Sequence, residues 1–250
     1  MFGYMPVMSR SEDYLKTIYA LASRGEPVTT SGLAHELGVS SPSVSAMAKR
    51  LHTEALLQRP GGGWVLTERG ERAALRVIRR HRLVETFLAR ALGMGWDEVH
   101  AEAEVLEHVL SDRLEERIDT ALGHPTHDPH GDPIPPRHGH HTEAVGHPLD
   151  AAPPGCRFRI ERVSDRDSAA LRYLRTLGIG PGVVLDVEEQ EPFGGPRWVR
   201  IDGARHALGA PLSRILRGHV VTSADEEPPE GGCQPAKART APTDLTRRRR

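Results

Sequence analysis

Residues 30–66 read TSGLAHELGVSSPSVSAMAKRLHTEALLQRPGGGWVL, and their punctuation decides the fold. Thr30 or Ser31 caps a short helix that stops at Gly38. Ser40 or Ser41 caps a second helix, with Pro42 in its first turn, where the missing N–H costs nothing. LLQRPGGGWVL then reads as two short strands around a glycine-rich turn. Helix, turn, helix and β-hairpin in that order spell a winged helix-turn-helix. Upstream, a helix is expected from about Ser11, with Ser11 as cap and Tyr14, Leu15, Ile18 and Leu21 as its apolar stripe. The first residues, MFGYMPV, read as an overhang before a start at Met8.

In such a fold the second helix enters the major groove with its N-terminal residues forward. Here those are Ser41, Pro42, Ser43, Ser45 and Ala46, small groups that suit phosphate and backbone contact more than coded base contact. Lys49 and Arg50 lie one to two turns on, within reach of phosphate, and Arg59 beside the hairpin is a further candidate. The bland alternative is a winged helix serving only protein interaction.

Two long helices are expected next, from about Thr67 to Leu92 and from about Trp96 to Leu122. They carry three pairs spaced by four residues: His81 with Glu85, His100 with Glu104, and Glu104 with His108. That spacing puts both members on one helix face. The run HAEAEVLEH then projects His100, Glu104, Glu107 and His108 as one patch, and RHRLVE does the same with His81 and Glu85. Facing helices of this kind close around a divalent cation; a solvated polar face is the alternative. Val99, Val105, Leu106, Val109 and Leu110 predict that the other faces are packed.

The chain has 250 residues with two cysteines, Cys156 and Cys233, in no disulfide or metal spacing. With no leader pattern and no apolar run of membrane length, the expectation is a soluble cytoplasmic protein with no membrane association. Residues 1–82 carry 12 Lys/Arg against 7 Asp/Glu, and residues 83–122 carry 3 against 10. A basic block suits a polyanion and the acidic block beside it a cation. No nucleophile elbow, phosphate loop or HExxH pattern occurs, which argues against a metallohydrolase and leaves no small-molecule substrate expected. Residues 123–152, rich in Pro, Gly and His, read as a linker, and 124–147 hold seven of the 14 histidines. That tract suggests metal buffering as a rival function, with a solvated insertion the simpler reading for every histidine except His130. From 153 to 221 the texture turns to strands (CRFRIERVS, VVLDVEEQE, RWVRIDG, ARHALG, ILRGHVV) around a helical SAALRYLRTLG, the pattern of a small β-barrel. Residues 222–250 are polar, end in RRRR and are expected to be disordered.

SEDYLKTIY, SSPSVSAMAKRL, RRHRLVETFL, VHAEAEVLEHVLSDRLEERI and DPHGDPIP together resemble the diphtheria toxin repressor family of metal-dependent transcriptional repressors, over roughly Met8 to Val221. The likeness is strongest to its manganese-responsive branch. It implies a mainly α fold with small β parts: a winged helix-turn-helix over 8–72, a helical metal-binding and dimerisation domain over 73–150, and a C-terminal SH3-like β-barrel over 153–221. It implies a homodimer on double-stranded operator DNA, with Mn(II) as cofactor and Fe(II) as the alternative.

Mapped residue by residue, the resemblance puts a primary metal site at Asp13, Glu104, Glu107 and His108, with a backbone carbonyl near Glu104 and His81 close by. Iron-type members have methionine at the position of Asp13 and cysteine at that of Glu104, so the two carboxylates here favour manganese. Lys16 stands where some shorter manganese regulators carry a second glutamate. An ancillary site is implied at Glu85, His81 or His100, His130 and an acidic residue of the SH3-like domain. Asp165 fits that last role best and Asp167 is one pleat away. Asp128 occupies a position that is a cysteine ligand in some relatives.

Overall fold

The computed structural model describes residues 11–139, 141–142 and 146–222; the expected start at Met8 and the expected disordered tail lie outside the described residues. The N-terminal part consists of α1 (Ser11–Ser23), α2 (Thr30–Leu37), α3 (Ser41–Thr53) and an antiparallel hairpin of β1 (Leu57–Gln58) and β2 (Val65–Leu66). Ser11 already lies inside α1, so it is not the cap. The α2 cap is Thr29, not Thr30 or Ser31: it keeps extended dihedrals, and its hydroxyl accepts the Gly32 N–H at 3.0 Å. Ser40 caps α3 by accepting the Ser43 N–H, with Pro42 in the first turn as the sequence requires. Tyr14, Leu15, Ile18, Leu21, Leu33, Val44, Ala48, Leu51 and Leu57 bury together as the core of this part. The winged helix-turn-helix is therefore present.

α4 (Glu68–Leu92) is a single helix that belongs to two cores. Ala74 packs into the N-terminal core, while Leu83, Val84 and Leu88 join Val99, Ala103, Leu110, Ile118 and Ile134 in a second one. Gly70 permits the junction, since a Cβ there would stand 2.0 Å from the Leu56 carbonyl oxygen.

The helix expected over 96–122 is two helices, α5 (Val99–Leu106) and α6 (Asp112–Ala121). Ser111 interrupts the run by capping α6, its hydroxyl accepting the Leu114 N–H at 3.3 Å. Val99 and Leu110 are buried as expected, but Val105, Leu106 and Val109 are not packed. With Leu92 and Leu114 they stand exposed, Val109 at 69%.

The C-terminal part is one antiparallel sheet built from β3 (His147–Pro148), β4 (Arg157–Val163), β5 (Val184–Gln190), β6 (Arg197–Ile201), β7 (Ala204–Leu208) and β8 (Leu216–Val220). The strand order is β3-β8-β4-β5-β6-β7, with α7 (Ser168–Thr176) after β4 and α8 (Ala210–Ile215) before β8. Phe158, Ile160, Leu171, Leu174, Leu185, Val199 and Leu216 fill its core. Within the stretch read as a linker, the described residues 128–134 and 147–152 are packed into the fold. β3 pairs with β8 because Leu149 just beyond it is fully buried, and Asp128, His130, Asp132 and Ile134 are buried too. No described helix is long and apolar enough to cross a membrane.

Candidate metal centre and nucleic-acid interface

The C-terminal end of α5 carries the first half of the centre. Glu107 and His108 follow directly on α5, Glu107 keeping helical dihedrals and donating its N–H to the Ala103 carbonyl at 2.9 Å, and both come close to α1. His108 Nε2 is 2.8 Å from Asp13 Oδ1 and 3.5 Å from Glu107 Oε1. Its Nδ1 lies 2.7 Å from Glu12 Oε2. Glu12 was not singled out from the sequence, although its place beside Asp13 in the first turn of α1 is the available signal. Lys16, one turn on, donates to Glu104 Oε1 at 2.6 Å and to Glu107 Oε1 at 2.8 Å. An ammonium ion thus lies between two of the carboxylates expected to hold metal.

The second half centres on Glu85, fully buried on α4. Its Oε1 is 3.0 Å from His81 Nε2 and 3.2 Å from His100 Nδ1. His100 Nδ1 is also 3.0 Å from Asp165 Oδ2, which brings the C-terminal domain into the centre. Asp167, the other candidate, is used elsewhere: it caps α7, accepting the N–H groups of Ala169 and Ala170. Glu85 Oε2 faces His130 Nδ1 at 3.8 Å. His81 stands between the halves, its Nδ1 2.5 Å from Glu107 Oε2 and its Nε2 on Glu85.

His130 is placed by a tight loop. Asp128 Oδ1 accepts the N–H groups of His130 at 2.9 Å and Asp132 at 2.8 Å. Gly131 takes φ +87°, and a Cβ there would stand 1.8 Å from the Glu161 carbonyl oxygen, so only glycine fits. The His130 ring donates from Nε2 to the Trp96 carbonyl at 2.7 Å, which leaves Nδ1 aimed at Glu85. Asp132 pairs with Arg162 at 2.7 Å and Arg82 at 3.2 Å, pinning the loop to β4 and α4.

Three histidines in this space hold protons strongly. Burial alone would favour the neutral His81 ring, but the Glu85 charge and the Glu107 bond outweigh burial and the Lys16 charge, holding it up to about 9. For His100 the same burial is overcome by Asp165 and Glu85, up to about 10. For His130 it is overcome by Glu85, up to about 9. Burial resists the charge on Asp165 and Glu85, yet their histidine partners hold both below the ordinary carboxylate range. Asp128 goes the other way, raised by burial and by the nearby charges of Asp132 and Glu85. These protons and the Lys16 ammonium balance the carboxylates in the absence of a divalent ion.

The donor set fits a cation of that kind. Four groups of donors, each within 4.8 Å of one another, occur among the described residues: Asp13, Glu107 and His108; His81, Glu104 and Glu107; His81, Glu85, His100 and Asp165; and Glu85, Asp128 and His130. All are carboxylate oxygens or imidazole nitrogens with no sulfur, the donors that suit harder divalent metals. Glu85 Oε2 and His130 Nδ1 are both buried and face each other at 3.8 Å, within ion-pair distance and beyond that of a hydrogen bond. Every metal residue expected from the sequence lies in one of these groups.

At the other end of α1's domain, α3 presents Ser41, Pro42, Ser43, Ala46, Lys49 and Arg50 to solvent, while Ser45 is half-buried. Arg50 is paired with Glu54 at 2.9 Å. Arg59 bonds the Gly62 carbonyl and lies 5.3 Å over the Trp64 ring, so it stiffens the wing from within.

Comparison with known proteins matches this architecture piece by piece. Residues 7–60 match the N-terminal DNA binding domain of iron dependent repressors, 67–136 their metal binding and dimerisation domain, and 147–217 the FeoA domain. The iron-dependent repressor IdeR of Mycobacterium tuberculosis is 40% identical over 130 residues, 52% of this chain and 56% of that protein, so the chain spans little more than half its length. A solved manganese-dependent transcriptional repressor in complex with manganese superposes with a TM-score of 0.80 at 41% identity, over 85% of this chain and 100% of that one. ScaR with bound Zn2+ gives a TM-score of 0.75 at 32% identity, over 85% and 100%. The diphtheria toxin repressor of Corynebacterium diphtheriae is 35% identical over 219 residues, 87% of this chain and 89% of that protein. On that breadth of likeness, joined to the winged helix and the ligand clusters beneath it, the chain belongs to the diphtheria toxin repressor family.

Proposed function

We propose that the protein is a metal-dependent transcriptional repressor that answers to Mn(II) and binds operator DNA as a homodimer. The observation that carries this reading is the contact of Asp13 on α1, inside the DNA-binding core, with His108 on the turn after α5, at 2.8 Å. A divalent ion supplies a charge that all of these donors prefer to one another. The rest is done by the chain. Glu107 and His108 hold the turn, Asp13 brings α1 to it, and α4 carries the constraint between the two cores. The orientation of α3 is fixed as a result, and two copies then present their recognition helices at a set spacing. The exposed Leu106, Val109 and Leu114 support pairing of two copies through the helical domain.

Manganese is favoured by the oxygen donors of Asp13 and Glu104 and by the likeness to manganese-dependent repressors. The iron reading has the iron-dependent repressor of Mycobacterium tuberculosis and the matches to iron dependent repressor domains on its side. Gel-shift titration on a pseudo-palindromic operator separates them. Tight binding is expected with Mn(II), weaker with Fe(II) at equal free concentration, and lost in chelator. Equal affinity with and without metal would sink the proposal, and a better response to Fe(II) would move the assignment to iron.

A further inference from the structure

The loop between α4 and α5 sends two side chains into two different cores. Met94 packs into the helical core that holds Leu88 and Val99. Trp96, two residues on, packs into the core of the C-terminal sheet. From this placement we infer that residues 94–98 form a latch that seats the C-terminal domain on the helical domain without help from a metal ion. The two domains then move as one body, and the C-terminal domain does not swing free when the ion leaves.

Each part of the latch is built from chemistry that holds without a cation. The Trp96 ring reaches the loop after α7, where a Cβ on Gly180 would stand 3.9 Å from its Cη2. An indole offers a large apolar surface on a side chain with few rotamers, which suits an anchor. Asp97 beside it is 8% exposed, a costly place for an unpaired carboxylate. α7 supplies the counter-charge: Arg175 donates to Asp97 Oδ1 at 2.7 Å, and Arg172 stands 3.8 Å from Oδ2. None of Met94, Trp96, Asp97, Arg172 and Arg175 belongs to a donor group of the metal centre.

The loop is also preset in shape. Gly93 takes the left-handed conformation that ends α4, and the Met94 N–H bonds back to the Leu88 carbonyl at 3.1 Å. The Glu98 side chain accepts the Gly95 N–H at 3.3 Å, and the Gly95 carbonyl accepts the Glu98 N–H at 2.9 Å. Trp96 and Asp97 are therefore held out from a closed turn and do not have to be ordered by docking. Domains of one chain that meet through small polar contacts move relative to each other by default. An apolar anchor with a buried ion pair beside it removes that freedom, which leaves the joint at α1 as the one an ion has to set.

The test is amide hydrogen exchange by mass spectrometry on the full chain, in EDTA and with Mn(II). Peptides covering 94–99 and 171–180 should exchange at rates within about threefold of each other in the two conditions. Trp96→Ala should speed the 171–180 peptide by about tenfold or more in EDTA. Small-angle scattering in EDTA should give that variant a larger radius of gyration than the wild type, which a merely local cavity would not. Arg175→Ala removes a half-exposed side chain and no core volume, so it keeps the test open if Trp96→Ala unfolds. It should speed both peptides by about threefold or more with an unchanged circular dichroism spectrum. Wild-type peptides that exchange more than about threefold faster in EDTA than with Mn(II) would show that the ion does the docking and overturn the inference. Wild-type rates in Arg175→Ala, or a folded Trp96→Ala with wild-type exchange and radius, would overturn it as well.

Discussion

Lys16 shows what one side chain does to a metal site. Its ammonium neutralises Glu104 and Glu107 at 2.6 and 2.8 Å, and those carboxylates draw the Lys16 proton in against the effect of burial, raising its pKa. Lys16→Met should tighten Mn(II) binding at the Asp13–His108 side by about tenfold, since each 1.4 kcal/mol is a factor of ten. The metal-free protein should melt lower, because two near carboxylates then repel. Competition against a fluorescent chelator reads the affinity, and an unchanged or weaker Kd would show that the lysine does not oppose the metal. The raised histidines give a second prediction. Their folded pKa values near 9 to 10 exceed the ordinary value near 6.5, so the stability they lend the metal-free protein is complete below about pH 6.5 and fades as pH rises toward 10. Metal binding needs those rings neutral, so Mn(II) affinity should climb over the same range. Calorimetry and melting curves from pH 6.5 to 9.5 should move in opposite directions. Spacing singled out His81, Glu85, His100, Glu104, Glu107 and His108 as candidates, whereas Asp13, His130 and Asp165 came only from the family resemblance, since they lie far from the others along the chain. The contact of Lys16 with residues 88 and 91 positions away leaves no trace in local spacing.

At the scale of elements, caps decide where side chains point. Ser111 starts α6 after α5 has ended at Leu106, and Glu107 and His108 stand at that end of α5, within reach of α1. The periodic run from Trp96 to Leu122 masked this, because its apolar spacing continues through the break while the Ser-Asp start signal inside it is short. Ser111→Ala should cost about 1 kcal/mol, or roughly 2–4 °C in Tm for a chain of this size, with metal content unchanged. A drop in Mn(II) binding out of proportion to the melt would give the cap a direct part in the site. The order of elements in the winged helix was legible, since Gly38, Ser40, Pro42 and the glycine-rich turn are local signals, although the caps of α1 and α2 were misplaced. The burial of Asp128 to Ile134 and of Leu149 was not legible. Asp128, His130 and Leu149 are held by partners on β4, β8 and the Trp96 loop that no window of sequence contains.

For the molecule as a whole, two surfaces remain to be used. Val105, Val109 and Leu114 are exposed at 59%, 69% and 50%, and their apolar character reads as packing only when a second copy is supplied. Val109→Glu should shift the protein toward monomer in sedimentation, and operator affinity should fall with it; a dimer that persists would place the interface elsewhere. Arg166 pairs with Glu36 on α2 at 3.1 Å, one residue beyond the metal-facing Asp165. Arg166→Ala should raise the Mn(II) concentration for half-maximal operator binding only a few-fold, because an exposed pair contributes about 1 kcal/mol or less. An effect of a hundredfold would mean the C-terminal domain steers the DNA-binding domain far more strongly than this contact allows.

The position of His81 imposes an order on these events. Its ring touches Glu107 through Nδ1 and Glu85 through Nε2. A neutral imidazole has a single lone pair, so it is a ligand on one side and a hydrogen donor on the other, never a ligand on both. The first ion to engage it selects the tautomer, and the second half of the centre then receives an N–H instead of a nitrogen donor. Loading should therefore be sequential, with proton release uneven between early and late equivalents of Mn(II). Calorimetric titration in buffers of different ionisation enthalpy would display that asymmetry, and His81→Gln should erase it.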